Sequence, residues 1–191
     1  MSGKPIAAGK SSFQLLNAQD LFRSLPLRKH TAILDVACGA GSYVLAMAEH
    51  LENEAIIYAT DLWEEGLEDL SKAAAWRGLT SIRPILADLS QGLPLDAECL
   101  DLCLMATALH DLMQIQAHET ALRELIRTLK PDGTLAVIEF QKIEPPPGPP
   151  PAIRLSPDEL QAVLEPYGFR RETISLLDPY LYLSLQRLEA A

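Results

Sequence analysis

A glycine turn and three aspartates are the parts of this 191-residue sequence whose types and spacing suit chemistry. Gly39 and Gly41 stand where a buried strand passes into a turn and then a helix, a geometry that lets a ligand approach the backbone. Asp35 lies inside that strand, Asp61 ends the next strand, and Asp88 follows the third. Carboxylates at such points can accept hydrogen bonds from ribose hydroxyls and from the amine of a purine. The pattern predicts a crevice for a positively charged ligand with an amine, a ribose and a purine.

The glycine turn departs from the dinucleotide-binding fingerprint in two ways. A third glycine would fall at position 44, which is Val44, and a bulky residue there does not suit the close helix–strand packing of the usual motif. Asp35 also adds a negative charge where a pyrophosphate would be unwelcome. An NAD-dependent oxidoreductase of the same general architecture is therefore the weaker alternative.

Strand-like and helix-like segments alternate through the first 140 residues and must position these side chains. Continuous apolar runs predict strands, and amphipathic runs at helical spacing predict helices. The predicted strands are 32–36, 55–60, 82–86, 100–106 and 134–140, and the predicted helices are 43–51, 64–77 and 116–129. The run Lys130-Pro-Asp-Gly133 predicts a helix stop and a turn. This alternation is typical of parallel βαβ units, and it predicts an α/β fold with a doubly wound, mostly parallel sheet.

A proline run separates this long section from a shorter one. Six of the 14 prolines fall between 145 and 151, which predicts an extended polyproline segment. The run Ser156-Pro-Asp-Glu159 has the serine cap, first-position proline and third-position glutamate of a helix start. Strands predicted at 169–177 and 180–188 are separated only by Asp178-Pro179, so they should pair antiparallel. With these two the predicted sheet has seven strands and an antiparallel C-terminal strand.

Composition limits the class of protein. Sixteen basic and 26 acidic side chains give a net charge of −10, which argues against nucleic acid as the partner because phosphate repulsion would have to be overcome. The first twelve residues have no apolar core of signal-peptide length, and the longest apolar run, 102–109, is far shorter than the ~20 residues of a membrane span. Three cysteines make no disulfide framework. We expect a cytoplasmic protein with one domain over 1–191 and a helical extension at 1–30, whose amphipathic stretch 13–25 lies across the crevice.

Four motifs occur in a fixed order along the chain. They are Leu34-Asp-Val-Ala-Cys-Gly-Ala-Gly41, Ala59-Thr-Asp61, Ala87-Asp-Leu89 and Leu129-Lys-Pro-Asp-Gly-Thr-Leu135. With them the sequence from about residue 30 to 190 resembles the class I S-adenosylmethionine-dependent methyltransferases, which implies a Rossmann-like sheet. More narrowly it is similar to short relatives of the ubiquinone/menaquinone-biosynthesis methyltransferases. Some of those relatives have a His after strand four and a Gly-Pro-Pro segment after strand five, as in His110-Asp111 and 148–150 here.

The resemblance implies S-adenosyl-L-methionine as the cofactor and a role for each motif. The 39–41 turn would hold the methionine part, Asp61 the ribose hydroxyls and Asp88 the adenine amine, with Leu62 and Leu89 flanking the adenine ring. The full set of implied cofactor residues is Asp35, Ala37, Gly39, Gly41, Asp61, Leu62, Asp88, Leu89 and Ala106. Two other interpretations stay open: Asp35 bound to the backbone of the turn, and Asp61 and Asp88 as helix or turn caps.

The implied reaction is an in-line displacement at a carbon activated by an adjacent sulfonium. The protein must align nucleophile and methyl group, exclude water and in some cases remove a proton. His110, just beyond strand four, is the predicted catalytic residue because imidazole titrates near neutrality, with Asp111 to orient it. The alternative is an edge histidine bonded to backbone. Glu139 either meets an acceptor or caps a turn, and the segment 141–155 either covers the acceptor side or is a spacer.

The expected partner is a small-molecule methyl acceptor, and neither a metal nor nucleic acid is predicted. Because the chain is short beside the quinone-biosynthesis enzymes and lacks room for an added substrate domain, a quinone is not the favoured acceptor. No cysteine follows Cys103, which disfavours the arsenite methylation of some relatives. A non-enzymatic cofactor-binding module of the same fold and a homodimer stay open.

Overall fold

One seven-stranded sheet organises the computed structural model, which describes residues 9–144 and 147–189. Its strands are β1 Ala32–Val36, β2 Ile56–Asp61, β3 Ile82–Leu86, β4 Leu100–Ala106, β5 Leu129–Phe140, β6 Phe169–Leu176 and β7 Leu181–Leu188. They lie in the order β3-β2-β1-β4-β5-β7-β6. Every pair from β3 to β5 is parallel, and β7 runs antiparallel to both β5 and β6. The predicted α/β fold with an antiparallel C-terminal strand is confirmed.

Helices cover both faces of the sheet. In the described residues they are α1 Ala18–Ser24, α2 Ser42–His50, α3 Glu64–Trp76, α4 Leu109–Gln114, α5 His118–Thr128 and α6 Pro157–Leu164. Buried side chains of α1, α2 and α3 form one core with one face of the sheet, and those of α4, α5 and α6 form the second core. The side chains of β1 alternate between the two, since Ile33 belongs to the first core and Leu34 to the second. Across these described ranges, no helix has the length and apolar character that a membrane crossing requires.

The connection from β4 to β5 differs from its prediction at two points. A short helix, α4, precedes α5, and the two are separated by a break at Gln116, whose φ is 57°. Six residues span too few turns to show a helical period, so the sequence pattern did not reveal α4. The turn predicted at 130–133 lies within β5 as a bulge, because Leu100 pairs with Leu129 while Leu102 pairs with Thr134.

The amino-terminal segment is not the single helix predicted over 13–25. A 3₁₀ helix, Ser12–Leu15, is followed by α1, with two extended residues between them. Extended Leu16 ends the first segment, and Asn17 begins α1 because its side-chain oxygen accepts hydrogen bonds from the backbone N–H groups of Gln19 and Asp20. Residues 1–8 of the predicted extension lie outside the described residues.

The proline run is fixed by a buried arginine. The extended backbone predicted for the run gives way to a 3₁₀ helix at Pro151–Ile153, and positions 145 and 146 lie outside the described residues. Arg154 is 1% exposed and its guanidinium donates to the carbonyls of Gln141, Ile143, Pro147 and Pro149 at 2.8–3.0 Å. It lies 5.5 Å from the centre of the Phe140 ring. The Arg154 side chain thus supplies hydrogen bonds to the backbone carbonyls of a loop whose prolines have no N–H to donate to the sheet.

The start of α6 is the capping box that the sequence predicts. The hydroxyl of Ser156 accepts from the Glu159 N–H, and the Glu159 carboxylate accepts from the Ser156 N–H at 2.8 Å. Ser156→Ala should lower the free energy of unfolding by about 1 kcal/mol, because it leaves an orphan N–H at the helix start. Urea denaturation measures the change. Ser175→Ala on edge strand β6 serves as the control, and equal losses in the two variants would contradict the prediction.

Candidate functional site

A cavity opens at the carboxyl ends of the parallel strands, beside the point where the strand order reverses between β1 and β4. Including its open mouth it measures about 970 Å³. Its walls come from the loops after β1, β2, β3 and β4, from α4 and from the amino-terminal segment. They consist of Lys10, Val36, Ala37, Gly39, Thr60, Asp61, Leu62, Ala87, Asp88, Leu89, Ala106, Thr107, Ala108, Asp111, Leu112, Ile115 and Ala117. Ligands of open α/β sheets bind at this position.

The glycine turn forms the wall after β1. Ala37, Gly39 and Gly41 all have positive φ, at 54°, 57° and 76°. A side chain at Gly39 would meet nothing within 4 Å, so this position leaves space for a ligand against the backbone. At Gly41 a Cβ would lie 2.4 Å from Leu70, so this glycine allows α3 to pack against the start of α2. The two glycines therefore serve different purposes, one toward the cavity and one toward the core.

Asp61 joins the glycine turn to the start of α3. One carboxylate oxygen accepts from the Gly39 N–H at 2.7 Å and the other from the Trp63 N–H at 2.8 Å. The predicted capping role is therefore present. Each carboxylate oxygen has a second lone pair, and the residue lines the cavity, so the same carboxylate can also accept from ligand hydroxyls.

Asp88 and two leucines form the neighbouring wall. One oxygen of Asp88, Oδ1, accepts from the backbone N–H and the hydroxyl of Ser90 at 2.9 and 2.6 Å. Leu62 is 49% exposed and Leu89 is buried, and both line the cavity with Asp88. An apolar surface beside a carboxylate suits a flat ring that carries an amine.

Asp35 lies behind the turn and is 1% exposed. Its Oδ2 has no hydrogen-bond partner among the described residues, and the Gly39 N–H of the turn donates to Asp61 instead. Burial, followed by the nearby charge of Asp61, raises the pKa of Asp35 well above its usual range. An unpartnered buried carboxyl beside a second carboxylate makes this side of the cavity receptive to positive charge.

His110 is held inside the wall rather than at its surface. It is 4% exposed, and its Nδ1 lies 2.7 Å from Oε2 of the fully buried Glu139. The other oxygen of Glu139 accepts from the His110 backbone N–H at 3.3 Å. Burial lowers the pKa of His110, but Glu139 and Asp111 outweigh it, so the pKa is raised overall, against an opposing effect of Arg154. Asp111, the next residue, is the one that lines the cavity.

The amino-terminal segment contributes to one side of the cavity. Lys10 lines it, and the buried Ser12 hydroxyl lies 2.8 Å from the hydroxyl of Tyr43 and 3.2 Å from that of Thr107. Phe13 meets the Tyr43 ring edge-on, with ring centres 5.0 Å apart. Thr107 has φ 52°, which is strained for a β-branched residue. The segment therefore connects α2 with the strained loop after β4.

Most of the predicted cofactor residues meet at this cavity. Ala37, Gly39, Asp61, Leu62, Asp88, Leu89 and Ala106 line it, whereas Asp35, Gly41 and His110 lie behind its surface. Sequence reasoning missed Val36, Thr60 and Ala87, which flank predicted positions and could have been found from them. It singled out Asp111 as a partner for His110, but it missed Lys10 and the other lining residues of α4 and its flanking loops, because α4 does not show in the pattern. These other residues are Thr107, Ala108, Leu112, Ile115 and Ala117. None of the described residues of 141–155 is part of this lining, and its placement over the acceptor stays a prediction.

Comparison with known proteins agrees with this geometry. Residues 34–137 match the family described as "Methyltransferase domain". The chain is 33% identical over 121 residues to the ubiquinone/menaquinone biosynthesis C-methyltransferase of Neisseria meningitidis, covering 63% of this chain and 47% of the relative. It is 27% identical over 121 residues to the demethylmenaquinone methyltransferase of Geobacillus kaustophilus, covering 63% and 50%. The structure of a SAM-dependent methyltransferase from Aquifex aeolicus aligns with TM-score 0.84 and 25% identity over 93% of this chain and 92% of that one.

The chain therefore belongs to the methyltransferase domain family, within the class I S-adenosylmethionine-dependent methyltransferases. It spans about half the length of the curated relatives it matches. The family and the solved structure indicate S-adenosyl-L-methionine as the cofactor. The residues present fit this group, because the orphaned Asp35 oxygen and the carboxylates of Asp61 and Asp88 suit a cation that carries amines and ribose hydroxyls.

The buried carboxyl of Asp35 should make stability depend on pH. Its pKa is raised in the folded protein, so above pH ~4 only the unfolded chain releases this proton, and stability falls until the folded pKa is reached. Asp35→Asn keeps the shape of the side chain and removes this slope. The free energy of unfolding of the variant, relative to that of the native protein, should therefore be higher at pH 8 than at pH 5. Thermal unfolding at both pH values measures this. Asp69→Asn, exposed on α3, is the control, and equal pH slopes for Asp35→Asn and the native chain would contradict the prediction.

Proposed function

We propose that this protein transfers the methyl group of S-adenosyl-L-methionine to a small-molecule acceptor by in-line displacement. The observation that carries the proposal is the cavity at the strand reversal, where two carboxylates and two leucines from separate loops face one space. Behind it the carboxyl of Asp35 has an unpartnered oxygen, and a positive charge in the cavity would favour its ionised form. The family match to residues 34–137 supports the same function.

Each predicted cofactor residue has a place in this proposal. Ala37 and Gly39 present backbone to the methionine part, and Gly41 keeps α3 close to the turn. Asp61 accepts from the ribose hydroxyls, and Oδ2 of Asp88 accepts from the adenine amine while Oδ1 stays with Ser90. Leu62, Leu89 and Ala106 provide apolar contacts. The positive charge of the cofactor would favour the ionised form of Asp35, whose pKa is otherwise raised by burial and by Asp61.

The chemistry asks little of the protein beyond alignment. When bound, the cofactor supplies a methyl carbon activated by its sulfonium, so no acid is needed for the leaving group. The amino-terminal segment excludes water from the cavity mouth, and α4 forms the wall against which an acceptor can be aligned. His110, held by Glu139, takes up the proton that a protic acceptor loses.

The acceptor is proposed to be a small apolar molecule with a polar group at the reacting end. Ala108, Leu112 and Ile115 form an apolar side of the cavity, and Asp111 is the polar group among them. The relatives named for ubiquinone, menaquinone and demethylmenaquinone make a hydroquinone a useful first probe. Val44 is fully buried at the position where the dinucleotide motif has glycine, which favours this function over NAD-dependent oxidation.

Calorimetric titration with S-adenosylhomocysteine tests the cofactor part. Asp88→Asn keeps an oxygen for Ser90 but turns an N–H₂ group toward the adenine amine, so the dissociation constant should rise about tenfold or more. Asp96→Asn, exposed in the loop that follows, removes the same charge away from the cavity and should bind like the native protein. Binding of NADH but not of S-adenosylhomocysteine would overturn the proposal.

A transfer assay tests the role of His110. His110→Asn keeps a donor near the position of Nδ1, so Glu139 is not left as an unpaired buried charge. We expect unchanged affinity for S-adenosylhomocysteine and about 100-fold slower methylation of a protic acceptor found among 1,4-dihydroxynaphthalene, catechol and simple amines. Product formation is measured by mass spectrometry. Native-rate turnover by this variant would contradict the proposed role.

A further inference from the structure

Asp111 and Glu139 occupy opposite sides of the His110 ring. Glu139 lies at Nδ1, at 2.7 Å, and one oxygen of Asp111 lies 3.6 Å from Nε2. Glu139 is fully buried and the Asp111 side chain is 30% exposed. Only Asp111 of these three residues lines the cavity. Glu139, His110 and Asp111 therefore form a row that leads from the buried interior to the cavity.

The Glu139 contact fixes which ring nitrogen is free. A carboxylate only accepts hydrogen bonds, so Nδ1 carries the proton that Glu139 receives. In the neutral ring Nε2 is then the unprotonated nitrogen, and it faces Asp111. Because Glu139 also accepts from the His110 backbone N–H, it holds both the ring and the first turn of α4. The 3.6 Å between Nε2 and the Asp111 oxygen exceeds a hydrogen-bond length, and such pairs commonly shorten only when the ligands are bound.

The other polar and charged groups near His110 do not take the place of Glu139 and Asp111. Arg154, beyond the proline run, contributes positive charge that opposes protonation of the ring. Its guanidinium is occupied by four backbone carbonyls. From β7 the hydroxyl of Tyr182 donates to the carbonyl of Leu155. Among the described residues Asp111 is therefore the acid placed beside Nε2.

We propose that Asp111 is the catalytic residue that receives the acceptor's proton, and that Glu139 is a positioning residue which keeps His110 ready to take that proton from Asp111. The acceptor class that needs this row is a protic nucleophile, such as a hydroxyl or an amine. The inference rests on the proposed methyl transfer and reverses the order expected from sequence, in which Asp111 orients His110.

The proton and the methyl group each pass from a named donor to a named acceptor in this step. The bond between the acceptor atom and its proton breaks, and the proton moves to a carboxylate oxygen of Asp111. The acceptor atom bonds to the methyl carbon as the carbon–sulfur bond breaks, and that electron pair stays on sulfur as a neutral thioether. The proton then passes to Nε2 of His110, where the imidazolium lies between two carboxylates, and it leaves to water after the product departs.

Nuclear magnetic resonance of ¹⁵N-labelled histidine, with S-adenosylhomocysteine bound, tests the row without any acceptor. The signal of His110 among the four histidines is assigned with His110→Asn. We expect the neutral ring to carry its proton on Nδ1, Asp111→Asn to lower the His110 pKa without changing this tautomer, and Glu139→Gln to weaken the tautomer preference. Glu119→Gln, exposed on α5, should change neither. A proton on Nε2 in the native protein, or a His110 pKa unaffected by Asp111→Asn, would overturn the proposal.

Methyl transfer to 1,4-dihydroxynaphthalene, or to the protic acceptor that the screen identifies, provides the second arm. Asp111→Asn should lower kcat about 100-fold with little change in KM. Glu139→Gln should move the acid limb of the pH–rate profile to lower pH, a shift that a purely structural role would not produce. Native kcat in Asp111→Asn would overturn the proposal. Absence of any transfer by the native protein would instead refute the proposed function, while the resonance experiment still decides the row.

Discussion

The reversal of strand order between β1 and β4 is the constraint on which the rest of this structure depends. The chain winds outward from β1 through β2 to β3 with α2 and α3 on one face, then returns to the other side of β1 at β4. From β4 onward α4 and α5 cover the opposite face. The two sets of connections diverge at the carboxyl ends of β1 and β4, and no helix fills the space between them. The cavity is therefore a consequence of topology, and its chemistry is set by the side chains that end each strand.

Carboxylates at those strand ends give the crevice its negative character. Asp61 is satisfied by two backbone N–H groups and so is fixed in direction, whereas Asp35 is buried with an unpartnered oxygen. A protein with no cationic ligand to receive would gain little from this arrangement, because a buried unpaired carboxyl costs free energy. Two of the carboxylates behind the net charge of −10 therefore line this edge of the sheet, where the proposed function places a cationic cofactor.

Buried polar groups beside β4 hold α4, which forms one wall of the cavity. Glu139, the second-last residue of β5, accepts hydrogen bonds from the ring and the backbone of His110 and ties the start of α4 to the sheet. Near His110, the guanidinium of Arg154 donates hydrogen bonds to backbone carbonyls in and before the proline run. Neither residue lines the cavity, yet both fix the elements beside it. Such positions matter through geometry, since a displacement of about 1 Å in a positioning group can alter the rate of a reaction substantially.

The sequence alone predicted the sheet, the glycine turn and most of the cofactor wall. This was possible because those signals are local: continuous apolar runs mark the strands, and Gly39, Asp61 and Asp88 each stand at a fixed offset from a strand end. It did not predict α4, because six residues are too short to show a period, nor the break at Asn17 that divides the amino-terminal helix.

Tertiary structure alone decided which side chains face the cavity. Gly41 and Asp35 belong to the same motif as Gly39 but lie behind it, against Leu70 and beneath the turn. His110 and Asp111 are neighbours in sequence, but they take different positions in the fold. The contact with Glu139, 29 positions away, holds His110 inside the wall, whereas Asp111 stays at the surface of the cavity. Sequence by itself determined a cavity at the strand ends, because each motif carries its own local geometry. Which of the acidic residues lines that cavity is decided by long-range packing, which no local pattern encodes.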